Sequence, residues 1–173
     1  LDEFPALGKL CIFEQALAYF GGWNIKAYLI CQDKAQLDAA YGKDESVTSN
    51  CHVTVAYAPN KVETAKDLSD RLGVTTVIKE QESVSYQGGV GFFAKKSVTK
   101  SQQEVQRAVL TPDEIMRLPG AVKDADQMIT EPGDMLIFVA GFPPIYGKQI
   151  LYFIDKTFSE RSKINAPEKS DVI

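Results

Sequence analysis

Leu1-Asp2-Glu3 sets an apolar residue directly before two adjacent carboxylates. That is the form taken by the end of a Walker B strand. There the first carboxylate holds Mg²⁺ through water, and the second orients the water that attacks a γ-phosphate. A second polar group follows an apolar run: Ile25 to Cys31 leads straight into Gln32. An amide at the end of the neighbouring strand can touch the γ-phosphate and report its loss. Asp2, Glu3 and Gln32 are therefore candidates for ATP hydrolysis, with ATP and Mg²⁺ as the ligands. Each has an ordinary alternative, since Asp-Glu pairs are common on surfaces and a glutamine is unremarkable at a strand end.

Other chemistries find less support. The single histidine, His52, lies on an apolar stretch and reads as a core or strand-end residue, which argues against Ser-His or Cys-His catalysis. Cys11, Cys31 and Cys51 lack the close pairing that zinc sites use and read as buried, reduced thiols. Gly89-Val-Gly91-Phe-Phe-Ala94 matches a loose dinucleotide pattern without the strand and helix that such a loop needs. Gly-Phe-Phe-Ala-Lys-Lys-Ser misses the phosphate-cradling loop because Lys95 stands where glycine is required. The chain has no Walker A motif, so the fragment alone is expected to be inactive as an ATPase.

A chain of 173 residues, 45% hydrophobic and 24% charged, is long enough to bury a core. A net charge of −4 excludes coating of nucleic acid by bulk positive charge, though not contact through local basic groups. Lys95, Lys96 and Lys100 are candidates for such contact; a solvated loop is the plainer reading of the same lysines. No apolar run reaches the roughly 18 residues that a membrane span needs. With no initiator Met, Leu1 reads as a cut end.

The elements that must position these groups alternate. Leu1 to Phe4 reads as a strand tail and Lys9 to Phe20 as a helix stopped by Gly21-Gly22. Ile25 to Cys31 reads as a buried parallel strand, followed by a short helix through Leu37 closed by Gly42. His52 to Ala58 predicts a strand, Asn60 caps a helix to Leu72, and Val74 to Ile78 predicts another strand. Gln87 to Gln106 reads as a long polar loop. Thr111-Pro112-Asp113-Glu114 forms a capping box that opens a short helix ending at Pro119. Met135 to Ala140 and Gln149 to Ile154 predict antiparallel edge strands, and the tail from Ser159 is polar. The sum is an α/β fold with a mostly parallel sheet and an antiparallel edge hairpin.

Longer strings carry a resemblance. Leu-Asp-Glu-Phe-Pro-Ala-Leu-Gly-Lys at 1–9 and Cys-Gln-Asp-Lys-Ala-Gln-Leu at 31–37 resemble segments of the TraG/VirD4 conjugative coupling proteins. So do Tyr-Gly at 41–42, Ser-Asn-Cys at 49–51, Ala-Pro-Asn-Lys-Val-Glu-Thr-Ala at 58–65 and Leu-Thr-Pro-Asp-Glu-Ile-Met-Arg-Leu-Pro at 110–119. The run from Pro132 to Lys148 completes the set. The resemblance is collinear and is weakest across 80–106. It implies the C-terminal half of a RecA-like P-loop NTPase domain over 1–158, with 159–173 as a tail. It implies Asp2 on the Mg²⁺ side, Glu3 as the catalytic carboxylate and Gln32 as the γ-phosphate sensor. It also implies a homo-hexamer at the cytoplasmic face of the inner membrane, anchored by segments outside this chain. Such a motor moves single- or double-stranded DNA, passing a relaxase–DNA complex to type IV secretion channel proteins. Some relatives carry an arginine acting across subunits between the first helix and the strand ending in glutamine; this chain has only Lys26 there. Arg71 and Arg107 are the remaining candidates for that role, with surface ion pairs or helix ends as their ordinary use. Rival readings are an FtsK-like DNA translocase and a non-catalytic adaptor that docks secretion substrates.

Overall fold

The computed structural model describes residues 1–87 and 95–165. It contains the helices α1 (Cys11–Leu17), α2 (Lys34–Tyr41), α3 (Val62–Leu72), α4 (Pro112–Met116) and α5 (Lys156–Arg161). Its strands are β1 (Val53–Ala56), β2 (Val74–Gln87), β3 (Lys95–Ala108), β4 (Val122–Lys123), β5 (Ile129–Glu131), β6 (Asp134–Val139) and β7 (Ile145–Lys148). A 3-10 turn, Phe4–Leu7, precedes them. The fold is mixed α/β, but the mostly parallel sheet expected from the sequence is not found. The described strands pair antiparallel, in a three-stranded sheet ordered β1-β6-β7 and two hairpins, β2-β3 and β4-β5.

Ile25 to Cys31 shows why. The Leu1 nitrogen donates to Tyr28 O at 2.7 Å and Ile30 N–H donates to Leu1 O at 3.0 Å, the bonding of a single parallel step. Phe4 N–H then donates to Ile30 O at 3.0 Å as the chain turns away. One bonded neighbour holds the segment extended without making it a sheet strand, and Ile25, Tyr28 and Ile30 stay exposed. The cysteines depart from expectation too: Cys11 and Cys31 are exposed as residues, and Cys51 is half-buried. His52 is exposed too, just before β1, where its carbonyl accepts from Ala140 N–H at 2.9 Å.

The polar loop expected over 87–106 is in large part β3. Its fourteen residues pair with β2 in unbroken register from Val74↔Ala108 to Gln87↔Lys95. The β2 strand is likewise far longer than the predicted Val74 to Ile78. Gly89 to Ala94 lies outside the described residues. The second edge strand is shifted. Pairing with β6 uses Ile145–Lys148, inside the expected connection, and the run from Gln149 to Ile154 leaves the sheet with Ile150 and Ile154 exposed. The N-cap of α3 is Lys61, whose side chain makes no capping bond, rather than Asn60. The box at Thr111 forms as read: Glu114 N–H donates to the Thr111 hydroxyl at 3.3 Å, and Thr111 N–H donates to Glu114 Oε2 at 2.8 Å. Helix α5 begins before the expected tail and runs into it.

Two apolar clusters organise the chain. Ala65, Leu68, Ile115, Leu118, Leu136 and Phe138 join α3, α4 and β6. Phe4, Leu17, Leu37, Tyr41 and Val47 join the first turn, α1 and α2. The candidate chemistry stands on the second cluster.

Candidate functional site

Phe4 anchors the acidic pair. Its ring is buried, stacked on Tyr41 at 5.2 Å between centroids and tilted against Phe13 at 5.5 Å. Tyr41 in turn accepts on its hydroxyl from Leu10 N–H at 3.2 Å, which ties the segment after the 3-10 turn to the end of α2. Directly before this anchor, Glu3 adopts φ 46°, ψ 40°, the left-handed region that a side chain such as glutamate seldom occupies. Its N–H donates to Asp2 Oδ1 at 3.0 Å. A buried aromatic on one side and a local carboxylate bond on the other hold this unusual backbone in place.

Gln32 is held from α2. Asp33 is the N-cap of that helix and accepts from Ala35 N–H at 3.0 Å, while Gln36 Oε1 accepts from the backbone N–H of Gln32 at 3.2 Å. Asp-x-x-Gln thus works as a capping pair displaced by one residue, so that helix formation itself fixes the Gln32 backbone. The Gln32 side chain reaches across: Nε2 donates to Glu3 Oε1 at 2.8 Å. Two of the three residues singled out from the sequence are therefore in contact, 29 positions apart. Asp2 stands beside them, exposed and bonded to Glu3 N–H.

Supporting residues escaped the sequence reading. Asp33 also accepts from the Thr64 hydroxyl at 2.9 Å and lies 3.8 Å from Lys61 Nζ. Burial pushes its carboxyl up, but the bonds from Ala35 N–H, Thr64 and Lys61 together hold it below the ordinary aspartate range. Asp33 preceding Lys-Ala-Gln-Leu was a readable cap signal; the Thr64 partner, from another helix, was not. Desolvation and the carboxylates of Asp33 and Glu3 push the Cys31 thiol up, so Cys31 is a poor nucleophile at neutral pH.

The remaining candidates lie elsewhere. The Arg71 guanidinium rests 4.2 Å from the centre of the Phe138 ring, and Arg107 is ion-paired with Glu114. Lys100 pairs with Glu82 at 2.7 Å across the β2-β3 hairpin. Lys95 and Lys96 lie at the far end of the same hairpin, opposite Gln87 and Tyr86. Among the described side chains, neither arginine nor Lys100 is bonded to the Glu3–Gln32 pair.

No helix among the described residues is long and apolar enough to cross a membrane. The sequence matches the family described as type IV secretory system conjugative DNA transfer over residues 1–171. Two proteins of Escherichia coli named conjugal transfer protein TraG are 55% and 53% identical to it across 99% of this chain. The chain spans 27% of the length of each. The VirD4 type IV secretion system-coupling protein of Bartonella henselae is 28% identical over 88% of the chain and 22% of its own length. With that collinear match from its first residue almost to its last, the chain belongs to the TraG/VirD4 family of conjugative DNA transfer proteins.

Proposed function

We propose that the chain contributes a nucleotide-hydrolysing half-site to a DNA-translocating ATPase that couples a relaxase–DNA complex to a type IV secretion channel. The observation that carries this reading is the 2.8 Å bond from Gln32 to Glu3, made on a strained backbone beside Asp2. Two adjacent carboxylates and an amide are hard oxygen donors, a set that suits Mg²⁺. In this reading Asp2 would hold the ion and Gln32 would face the nucleotide; ATP with Mg²⁺ would supply the phosphoryl group and its charge neutralisation. Glu3 accepts from Gln32 through one oxygen and orients attacking water with the other. The remaining cradle, including a P-loop, belongs to parts of the protein outside this chain. The assembly we envisage is a RecA-like hexamer at the cytoplasmic face of the inner membrane.

Changing Glu3 to Gln in the complete protein is the test. Loss of a positioned general base lowers turnover by about 10²- to 10⁴-fold. DNA binding and thermal stability should stay as they were, and conjugative transfer should fail. Undiminished transfer by the Glu3→Gln protein would instead support a docking adaptor built on the same fold.

A further inference from the structure

The β2-β3 hairpin runs for fourteen residue pairs, about 45 Å at the usual strand rise. Nearly all of its described side chains are exposed. Because directly paired residues share a face and alternate pairs switch face, the register sorts its charges. Glu80, Glu82 and Glu104 all occupy one face, together with the register positions of Lys96 and Lys100. Two of the three acids there are engaged across the strands: Lys100 pairs with Glu82 at 2.7 Å, and Gln102 donates to Glu80 at 3.4 Å. The opposite face has no acidic position from end to end. It carries Lys79, Arg107 and the position of Lys95 among serine, threonine and glutamine, with Val77 opposite Val105 as its apolar pair. Lys79 makes no ion pair among the described residues, and Arg107 spends part of its donor set on Glu114.

We propose that this acid-free face of the hairpin is a sequence-independent contact for the phosphate backbone of DNA. Its composition is that of phosphate-contacting surfaces, namely cations and hydroxyl or amide donors. It lacks the aromatic and methionine anchors that mark protein interfaces. A two-stranded ribbon of this kind also has the dimensions to enter a major groove. The face differs from the lysine trio suggested by the sequence, because two of those three lysines lie on the acid-bearing side. The inference rests on the function proposed above only in taking DNA as the polyanion.

The test compares the two faces in the complete protein, with binding of a fluorescein-labelled DNA oligonucleotide read by anisotropy over a salt series. Lys79→Glu with Ser101→Glu places acids on the acid-free face. Affinity should fall about tenfold or more at low salt, with a shallower salt slope, because a phosphate contact is lost. Thr76→Glu with Gln102→Glu, on the other face, should change affinity less than about twofold. Equal losses from both faces, or none from either, overturn the proposal, as does failure of the complete protein to bind DNA. Should the acidic pair disturb folding by circular dichroism, Lys79→Ala with Gln81→Ala supplies the same comparison. ATP turnover without DNA should be unaffected by the hairpin variants. Glu3→Gln should leave DNA binding intact, so the two readings can fail separately.

Discussion

Glu3 occupies a left-handed backbone that costs a non-glycine residue roughly 1–2 kcal/mol, and its side chain makes only an exposed hydrogen bond in return. The proposed function accounts for that strain by the chemistry it assigns to Glu3, and makes it testable. Asparagine tolerates the same conformation, so Glu3→Asn should leave stability within about 1 kcal/mol of the parent, or raise it, while abolishing turnover. A thermal scan beside an ATPase assay checks this, and a marked loss of stability would mean the carboxylate is structural. Gln32→Glu makes the complementary prediction. It sets a second carboxylate against Glu3, and turnover should fall and recover partly at lower pH, where one of the two binds a proton. Neither the strain nor the contact was legible in the sequence, because positive φ leaves no mark on a glutamate and the partners are 29 residues apart. Local pattern offered an acidic dipeptide and a strand-end amide as separate candidates, and the family resemblance joined them in one site.

The elements were legible where their signals are local. Thr111, Pro112 and Glu114 specify the start of α4 within four residues, and the box forms as read. Thr111→Ala should cost about 1 kcal/mol of folded-state stability, measured by denaturant unfolding. Beyond Val74 to Ile78, which reads as a strand and is one, the β2-β3 hairpin was invisible for the opposite reason. Its strands bury little, so they show no apolar alternation, and Lys-Ser-Gln-Gln-Glu reads as loop unless the partner strand is known. The edge strand was misplaced because Ile-Leu-Tyr-Phe-Ile outweighed Ile145 to Lys148 in hydrophobicity, yet backbone pairing with β6 decided the position. One glycine carries a positional demand that only the structure shows. A Cβ at Gly133 would lie 2.8 Å from Ala121 N and 2.9 Å from Gly120 C, both backbone atoms. Gly133→Ala therefore forces the Pro119–Ala121 segment away from β6, at a cost of about 1–3 kcal/mol. Wild-type stability in that variant would show that the segment yields freely.

Across the whole molecule, the acidic pair stands on the apolar cluster around Phe4, α3 packs in the cluster around Leu136, and one carboxylate links the two. Asp33 caps α2 in the cluster around Phe4 and accepts from Thr64 on α3, which packs in the cluster around Leu136, with Lys61 nearby and Lys34 paired to Asp67 beside it. The folded-state pKa of Asp33 lies below its unfolded value near 3.8. At a pH between the two, the unfolded chain binds the extra proton, so this contribution to stability is complete above about pH 4 and lost as pH falls through the folded-state value. Asp134 is depressed as well, through hydrogen bonds from Tyr146 at 2.6 Å and from Lys148, whose Nζ lies 3.1 Å away, and it adds to the same acid limb. Tyr146, raised by the same bond, acts at the other end: its contribution holds below about pH 10 and is lost as pH rises through its folded-state value. Asparagine at position 33 can still cap α2 but cannot carry the charge. Thermal midpoints of Asp33→Asn measured from pH 3 to pH 7 should therefore fall below the parent by several degrees at neutral pH and converge with it at the acid end. Tyr146→Phe should instead flatten the alkaline limb while leaving part of the acid limb, which Asp33 still supplies. A constant offset for Asp33→Asn at every pH would mean that the bond to Thr64 holds the clusters together by shape alone, with no part played by the ionised carboxylate.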